Sequence, residues 1–406
     1  MRIRSITYFC NPGWPVNESE IEQAGKFLAE AKVAYAAAGF EVQSTRMATV
    51  PFPQILGTDK IDELPRLAEQ VEAAIQSAGI AYAALGPAQA EVPDSFAVIP
   101  EAIAATQNVF FSGIMADASF GISLPALQAC AEVIIRCGPV EPNGFANLRF
   151  AALANVKPGS PFFPAAYHAQ NKPAFAIATE AADLAVEAFT HARTVNDGQL
   201  AMVSEIEKFA KEQARVGDAL SRHFSIPFGG IDFSLAPFPS ETVSIGAAME
   251  RMGVAKAGLH GSLAAAAILT ESIERARFPR AGFSGLMLPV LEDAVLARRA
   301  AKGILTVKDF LLYSAVCGTG LDTVPLPGDT TADQIAAVLI DLSALALRLN
   351  KPLTARLMPI PGKKAGDPTH FDFDYFANSR VMALEAETLK PPLSETIRFN
   401  LAARRR

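Results

Sequence analysis

The sequence predicts an α/β protein with a mostly parallel sheet. Short apolar runs of strand type alternate with amphipathic stretches along most of the chain, which is typical of parallel strands joined by crossover helices. The chain has 406 residues, so it is long enough for two lobes or for one large domain. Half of the residues are apolar and 19% are charged, which indicates a large buried fraction.

The first part of the chain carries five strand-like runs. They cover residues 2–10, 40–48, 80–85, 108–114 and 148–154. The intervening helices are predicted near residues 17–39, 62–78, 96–105 and 124–135. The first helix has a clear start signal, because Asn17 is followed three residues later by Glu20.

A long helix is predicted from about Asp197 to His223, after a loop rich in proline and aromatic residues at 158–168. Strands are predicted at 174–178, 230–235, 283–290 and 353–360. Helices are predicted at 241–252, 260–275, 292–301, 307–316 and 332–348. The chain therefore consists of two halves rich in strand–helix units, which meet near residues 190–225.

Charge and composition exclude several classes of protein. There are 36 basic and 42 acidic residues, a net charge of −6, whereas a general nucleic-acid binder has a basic surface. The strand pattern begins at Arg2 without a signal peptide, and no apolar run has the length of a membrane span. The four cysteines, at positions 10, 130, 137 and 317, lack the spacing of a zinc site. We therefore expect a cytoplasmic protein with reduced thiols.

The stretch from Gly229 to Thr330 holds most of the candidate site residues. Asp232 stands in G-G-I-D-F-S-L-A-P at the end of a predicted strand, where ligands bind in parallel α/β folds. Glu292 and Asp293 begin a helix directly after L-P-V-L. Each acid also has a structural interpretation, as a turn residue for Asp232 and as a favourable charge at a helix start for the other two.

Two further acids lie in C-G-T-G-L-D-T-V-P-L-P-G-D-T, namely Asp322 and Asp329, and Asp329 also fits the N-cap of the next helix. The five acids come from different segments, and no matching run of Lys or Arg lies beside them in the sequence. Acids brought together in this way need a cation or shared protons to relieve their repulsion. The sequence therefore predicts either protons shared among these carboxylates or a divalent cation (Mg²⁺, Mn²⁺ or Ca²⁺) bound by Asp232, Glu292, Asp293, Asp322 and Asp329.

Histidine and cysteine supply the remaining candidates. His168 and His260 lie in loops beside small residues, where an imidazole either transfers protons or acts as a structural hydrogen-bonding group. Cys317 precedes G-T-G, and its thiol is either a nucleophile or a small buried apolar group. The Walker phosphate loop, the complete G-x-G-x-x-G helix start and the G-x-S-x-G hydrolase motif are absent from the sequence.

Four phrases resemble a bacterial and archaeal family known as UPF0210 or DUF711. They are I-D-F-S-L-A-P-F-P at 231–239, G-L-H-G-S-L-A-A-A-A-I-L at 258–269, G-F-S-G-L-M-L-P-V-L-E-D at 282–293 and C-G-T-G-L-D-T-V-P-L-P-G-D-T at 317–330. The resemblance covers roughly residues 1–370. It favours functional roles for Asp232, Ser234, His168, His260, Ser284, Glu292, Asp293, Cys317, Asp322 and Asp329.

The resemblance also implies a fold. Members of the family are grouped with the pyruvate formate-lyase-like glycyl radical enzymes, whose fold is a ten-stranded α/β barrel of two parallel five-stranded halves. We therefore expect one barrel domain over residues 1–370 and a loop-rich tail over 371–406. The glycyl-radical signature is absent from the C-terminal sequence, which ends R-F-N-L-A-A-R-R-R, so radical chemistry is not expected.

The favoured function is a small-molecule enzyme with an acidic site at the barrel mouth, where the acids bind a divalent cation or share protons. Asp232, Glu292 and Asp322 would act as ligands or bases, and His168 or His260 would transfer protons. One alternative is a non-catalytic protein that binds a metal or a metabolite, and another is thiol chemistry at Cys317. The high apolar content favours a homodimer or a larger homo-oligomer.

Overall fold

The computed structural model describes residues 1–404 and has a mixed α/β fold with thirteen α-helices around one large sheet. The strands are β1 (Arg2–Cys10), β2 (Val42–Pro51), β3 (Tyr82–Gly86), β4 (Val109–Asp117), β5 (Gly121–Ser123), β6 (Phe150–Ala154), β7 (Ala174–Glu180), β8 (Phe228–Asp232), β9 (Gly320–Pro327), β10 (Leu353–Ile360) and β11 (Arg398–Phe399). The α/β class predicted from the sequence is confirmed.

The helices are α1 (Glu18–Ala37), α2 (Phe52–Leu56), α3 (Leu64–Ser77), α4 (Asp94–Ala97), α5 (Ile99–Ala105), α6 (Leu124–Cys137), α7 (Ala182–His191), α8 (Val195–Phe224), α9 (Ile245–Arg251), α10 (Ser262–Arg275), α11 (Ala294–Ala301), α12 (Val307–Ser314) and α13 (Ala332–Leu349). The long helix predicted between the two halves is α8. Its start is fixed because Thr194 and Asp197 cap each other's backbone N–H groups. No helix within residues 1–404 is both long and apolar enough to cross a membrane.

The sheet contains two groups of parallel strands that run in opposite directions. Its strand order is β8-β7-β1-β2-β3-β4-β6-β10-β9. The strands β1, β2, β3, β4 and β6 pair in parallel, as do β7 with β8 and β9 with β10. The two groups meet in antiparallel pairs, β1 with β7 and β6 with β10.

The segment 280–290 differs from its prediction. We predicted a strand over 283–290, but the segment makes only isolated parallel bridges. Arg280 pairs with Ile231 of β8, Leu286 pairs with Leu235 just after β8, and Pro289 pairs with Asp322 of β9. A regular strand is prevented there because Pro289 has no backbone N–H to donate and Gly282 adopts a left-handed conformation with φ of +57°. The segment nevertheless makes isolated bridges to both ends of the strand order.

The two faces of the sheet pack against different parts of the chain. On β1, Ile6 and Tyr8 belong to the main core with the helices, whereas Phe9 packs on the opposite, inner face. The inner face is covered by the loop that joins β6 to β7. Phe163 of this loop is buried against Phe9 and small residues of β2, β3 and β7, and Thr7 Oγ1 donates to the Pro161 carbonyl at 2.9 Å. The loop therefore packs along the inner face of the sheet.

The C-terminal segment packs against this body. Phe371 and Phe376 are buried with Leu291, Met358 and Ile360 in a separate apolar cluster. Farther along the chain, β11 pairs with β5. Aromatic residues that follow residue 370 are therefore part of the packed structure, although the segment has little regular secondary structure.

Candidate functional site

A cavity of about 680 Å³ lies on the inner face of the sheet. Residues near the amino ends of β1, β2, β3, β4 and β6 form one part of its wall, and residues of β9 and β10 form another. The β9 and β10 residues in the lining, Asp322, Thr354 and Arg356, lie in the first half of each strand. The charged residues that line the cavity are Arg4, Arg46, Glu141, Arg149, Glu292, Asp322 and Arg356.

Glu292 joins distant parts of the chain by ion pairs. Its carboxylate accepts hydrogen bonds from Arg4 Nη2 at 2.5 Å and from Arg356 Nη2 at 2.6 Å. Arg356 Nε also donates to Asp322 Oδ1 at 2.6 Å, and Glu180 lies 3.3 Å from Arg4 Nη1. Each of these side chains is at most 15% exposed. The charges are therefore largely removed from water, where their mutual attraction is stronger.

Glu292 and Asp322 have pKa shifts in opposite directions. Burial alone would raise the pKa of Glu292, but the charges of Arg356 and Arg4 outweigh it, so the pKa lies below the ordinary value. For Asp322, burial outweighs the opposing charge of Arg356, and the neighbouring Glu292 raises the pKa further. Glu292 is therefore ionised and orients the two arginines. The neighbouring Asp322 keeps its proton up to a higher pH than an ordinary aspartate does.

A β-bulge directs Arg4 into the cavity. On β1, Ile3 pairs with Thr179 and Ser5 pairs with the adjacent Ala178, so Arg4 is an extra residue without a partner on β7. A bulge of this kind re-aims a side chain and interrupts the regular alternation of the strand. The irregular pairing therefore explains how an arginine in an apolar strand reaches Glu292.

A second bulge directs Asp322 to the same network. Between the paired positions Leu321 and Val324, β9 has two residues, Asp322 and Thr323, where β10 has only Arg356. Thr323 has φ of +43°, a left-handed conformation that is rare for a β-branched residue. Its Oγ1 accepts a hydrogen bond from the backbone N–H of Leu291 at 3.2 Å. The strained residue thus links β9 to the turn that carries Glu292.

Arg46 is a cavity cation that makes no ion pair within residues 1–404, whereas the other three cavity arginines each contact an acid. Its Nε donates to Ser44 Oγ at 2.9 Å. Its Cζ lies 5.0 Å from the ring centroid of Phe163 and 5.8 Å from that of Tyr82. Burial, with smaller contributions from Arg4 and Arg356 and against the opposing effects of Tyr82 and Glu292, lowers the pKa of Arg46 to about 9. The cavity therefore contains a guanidinium that is poorly solvated and not neutralised.

Asp232 lies outside the cavity lining and joins β8 to the turn at 282–284. Its carboxylate accepts hydrogen bonds from Ser234 Oγ at 2.6 Å and from the backbone N–H groups of Phe283 and Ser284, both at 2.7 Å. A Cβ on Gly282 would lie 2.1 Å from Asp232 Oδ2, so the turn requires glycine. Burial raises the pKa of Asp232 to about 6, against the effect of these hydrogen bonds. Asp232, Ser234 and Ser284 therefore connect the end of β8 to the turn at 282–284 by hydrogen bonds.

Asp293 and Asp329 are also placed away from the cavity lining. Asp293 is fully buried and caps α11, because its Oδ1 accepts from the N–H groups of Val295 and Leu296. Its Oδ2 accepts from Ile245 N at 2.6 Å, at the start of α9. Asp329 is exposed, and the N-cap of α13 is Thr331 rather than Asp329. The helix-start interpretation therefore fits Asp293 and does not fit Asp329.

The histidines and Cys317 lie apart from the acidic network. His168 is buried, its Nε2 is 2.8 Å from the Lys172 carbonyl oxygen, and burial lowers its pKa. His260 is exposed in the turn before α10. Cys317 is completely buried at the end of α12. In the part of the chain that the structure describes, neither imidazole hydrogen-bonds to any of the five candidate acids.

The structure thus brings together Glu292 and Asp322 from the predicted set, with Arg356 between them. Arginines relieve the charge repulsion between these acids, because Arg4 and Arg356 are distant from Glu292 in sequence but adjacent to it in space. Within residues 1–404, no group of three or more His, Cys, Asp or Glu side chains is placed to hold a metal ion. Three of the four carboxylate oxygens of Glu292 and Asp322 already accept from arginine N–H groups.

Sequence reasoning missed the arginines. Arg4, Arg46 and Arg356 each stand within a predominantly buried strand, in R-I-R-S-I, S-T-R-M-A and T-A-R-L-M. A charged residue inside an apolar strand rarely stays buried without a partner. That feature was available in the sequence as a signal, whereas the pairing of particular arginines with particular acids was not.

The sequence model of a family described as Uncharacterised ACR (DUF711) matches residues 1–378. The chain belongs to this family. The match confirms the resemblance carried by the four phrases between residues 231 and 330. The DUF711 description states no activity, so function has to be inferred from the chemistry of the cavity.

Several DUF711 relatives carry the name UPF0210 protein. One from Pyrobaculum aerophilum is 36% identical over 264 residues, which cover 62% of this chain and 57% of the relative, so this match spans little more than half of that protein. One from Ruminiclostridium cellulolyticum is 30% identical over 82% of the chain and 77% of its own length. One from Neisseria gonorrhoeae is 29% identical over 87% of the chain and 82% of its own length.

Replacing Asp293 should test its structural placement. We expect Asp293→Ala to lower the free energy of unfolding by about 3 kcal/mol, because the cap of α11 is lost and buried N–H groups at α9 lose their acceptor. Asp329→Ala is the matched control, and it should change stability by less than about 0.5 kcal/mol because the side chain is exposed. Urea denaturation measures both values, and equal effects of the two substitutions would contradict this assignment.

Proposed function

We propose that the protein is an enzyme that binds a small anionic metabolite in the cavity and acts on it by acid–base chemistry. The observation that carries the proposal is Arg46, a cation at the cavity surface that makes no ion pair within the described residues. The proposal keeps the small-molecule enzyme expected from the sequence. It changes the expected ligand, because the acids of the cavity are already paired with arginine.

Arg46 has the properties of an anion-binding residue. Its Nε is held by Ser44, and two aromatic rings lie against its guanidinium, so the side chain is restrained before a ligand arrives. The terminal Nη1 and Nη2 donate to no protein acceptor within residues 1–404 and are free to donate in parallel to a carboxylate or a phosphate. An anion at this position would also remove the unfavourable burial of an unpaired charge.

Asp322 is the proposed general base. Its Oδ1 accepts from Arg356, whereas Oδ2 accepts no hydrogen bond from the described residues and lies at the cavity. The raised pKa of Asp322 makes its carboxylate a stronger base than an exposed aspartate. Since the base acts in its ionised form, the rate should rise with pH through the pKa of Asp322. Glu292, with its lowered pKa, stays ionised and holds Arg4 and Arg356 in place.

We further propose that the sheet closes into a barrel through the segment 280–290. Support comes from the bridges that this segment makes to residues of the β8 side and to β9, the two ends of the strand order. The segment would take the position of a tenth strand beside the nine strands of that order. Each parallel half of the barrel would then contain five strands. The inner loop supports closure as well, because Phe162 packs against Ala178, Ala236 and Met287 while its neighbour Phe163 packs against Phe9.

The principal alternative is a protein that binds the same anion without turnover. It would use Arg46 in the same way and would not need Asp322 as a base. Thiol chemistry at Cys317 is a weaker alternative, because the thiol is completely buried and lies outside the cavity lining. Binding and turnover measurements on the same variants separate these possibilities.

Arg46→Gln tests the anion site. Inorganic phosphate should raise the Tm of the native protein above its value in sodium chloride of equal ionic strength, because a ligand of the folded state stabilises it by mass action. The substitution should abolish this rise. The protein should still fold, since the Arg46 side chain makes one side-chain hydrogen bond. Arg215→Gln, on the exposed face of α8, is the control that should keep the full rise.

The result that would contradict the site is a native protein that gains no stability from phosphate. A full phosphate effect in Arg46→Gln would equally remove Arg46 from the site. Differential scanning fluorimetry over a phosphate titration is sufficient for both comparisons.

Asp322→Asn tests the catalytic role. Native protein incubated with a mixture of small carboxylates and phosphate esters should convert at least one of them, as followed by proton nuclear magnetic resonance. The substitution should lower that rate by at least about a hundredfold, since general-base catalysis supplies about this factor, while the phosphate effect on Tm persists. Asp329→Asn should keep the native rate. Binding without conversion in the native protein would favour the non-catalytic alternative.

The divalent cation expected from the sequence remains a proposal, in a modified form. Of the four carboxylate oxygens of Glu292 and Asp322, Asp322 Oδ2 is the one that accepts no hydrogen bond within residues 1–404, so a bound anion would have to supply further oxygen ligands. Mg²⁺ is commonly held by one or two carboxylates together with substrate phosphates. We therefore expect Mg²⁺ to raise Tm only when phosphate is present, and Asp322→Asn to remove this increment. If Mg²⁺ raises Tm neither with nor without phosphate, the cation is no longer part of the proposal.

A further inference from the structure

We propose that the ligand of the cavity is an aryl or heteroaryl carboxylate or phosphate ester, in which an anionic group is attached to a flat apolar ring. This inference rests on the proposed anion site at Arg46 and names the class of molecule that would occupy it. It follows from aromatic side chains on two sides of the cavity that are left partly exposed to it.

The first aromatic wall lies beside Arg46. Tyr82, Phe110 and Phe163 all line the cavity. The Phe110 ring is 5.6 Å from the ring of Tyr82 and 5.4 Å from that of Phe163, measured between centroids, and both pairs are edge-to-face. Tyr82 and Phe163 are also the rings that lie against the Arg46 guanidinium. An apolar surface is therefore continuous with the anion-binding cation.

The second aromatic wall comes from segments that are remote in sequence. Phe145 precedes β6, whereas Phe373 and Tyr375 belong to the segment after residue 370, and all three line the cavity. Phe373 lies 5.1 Å from Phe145 and 5.2 Å from Tyr375 between centroids. In the same segment Asp372 and Asp374 are exposed, so the chain turns its aromatic residues and not its acids toward the cavity.

These rings are packed differently from the core aromatics of the protein. Phe110, Phe145, Phe373, Tyr82 and Tyr375 are only partly buried, whereas twelve of the largest side chains elsewhere have less than 2% exposure. Partly exposed aromatic rings that converge on a cavity with a few polar groups are typical of a binding site for an organic molecule. Rings also prefer edge-to-face or offset contacts with other rings, which favours a flat aromatic occupant over a flexible chain.

The polar groups near these rings fit a substituted aromatic ring. The hydroxyl groups of Tyr82 and Tyr375 make no hydrogen bond in the part of the chain described, although both residues line the cavity. Gln107 and Asn108 lie in the same wall as Phe110. These donors and acceptors suit ring nitrogen, carbonyl or hydroxyl substituents on a ligand ring, which a plain hydrocarbon tail would leave without partners.

The test compares three probes by isothermal titration calorimetry on the full-length protein: inorganic phosphate, phenyl phosphate and n-hexyl phosphate. Phenyl phosphate should bind about tenfold more tightly than inorganic phosphate, because its ring adds apolar burial and ring contacts. Hexyl phosphate should bind clearly more weakly than phenyl phosphate. Arg46→Gln should remove the binding of all three probes.

Phe373→Ala provides the variant that isolates the ring. It should reduce the phenyl-to-inorganic affinity ratio from about ten to about two while leaving the Kd of inorganic phosphate unchanged. Phe373→Leu keeps an apolar side chain at the position and guards against a folding defect; it too should lose most of the preference for phenyl over hexyl. A general loss of stability would weaken all probes together and would leave the affinity ratio unaltered.

The outcomes separate this inference from the proposal on which it rests. If inorganic phosphate binds and phenyl phosphate binds no better, or if hexyl phosphate binds as well as phenyl phosphate, the aromatic ligand class is wrong while the anion site stands. If Phe373→Ala and Phe373→Leu leave both the affinity ratio and the Kd of inorganic phosphate unaltered, the inference is also overturned. If no probe binds to the native protein, the anion site itself fails and the inference falls with it.

Discussion

The ion pairs of Glu292 are the constraint on which the organisation of the cavity depends. Its carboxylate is shared between Arg4 on β1 and Arg356 on β10, strands that belong to opposite halves of the sheet. A buried charge that loses its partner typically destabilises a protein by about 3–5 kcal/mol. The positions of β1, β10 and the turn before α11 are therefore mutually dependent, and the two bulges are the means by which the side chains reach one another.

Such a network is not explained by stability alone. Replacing buried ion pairs by apolar residues of similar size is often neutral or stabilising, because two charges must be removed from water. The left-handed conformation of Thr323 adds an unfavourable contribution of about 1–3 kcal/mol. A sheet selected only for stability would have regular strands and apolar side chains at these positions. The combination of strain and buried charge is instead typical of a site where the geometry of particular groups matters.

The general class of the fold could be predicted from the sequence because it depends on local patterns. The alternation of apolar runs and amphipathic stretches located β1 and the long helix α8 close to their observed bounds. The segment 280–290 was mistaken for a strand, since its apolar residues have strand character while Pro289 and Gly282 prevent regular pairing. The antiparallel joins between the halves depend on contacts between distant segments, which no local pattern records.

The candidate site was predictable only in part, for a related reason. Glu292 stood out because it follows the apolar run L-P-V-L, and Asp322 because it lies in a phrase rich in glycine and proline. Both residues line the cavity. Asp232 and Asp293 gave the same local signal, yet their oxygens are filled by backbone N–H and hydroxyl groups. Whether a carboxylate faces a cavity or caps backbone groups depends on which segment packs against it. The residue type and its position along the chain do not contain that information.

The balance of charge determines what the cavity selects. Its lining has four arginines and three acids, and the three acids are paired with Arg4, Arg149 and Arg356. A carboxylate beside Arg46 would have neutralised it and left a cavity without preference for an anion. The neighbours of Arg46 are instead the neutral rings of Phe163 and Tyr82, which exclude water without supplying a negative charge. An attraction between opposite charges is stronger where water is excluded. The two rings make the unpaired guanidinium unfavourable in the free protein. For the same reason they make its contact with an anion favourable.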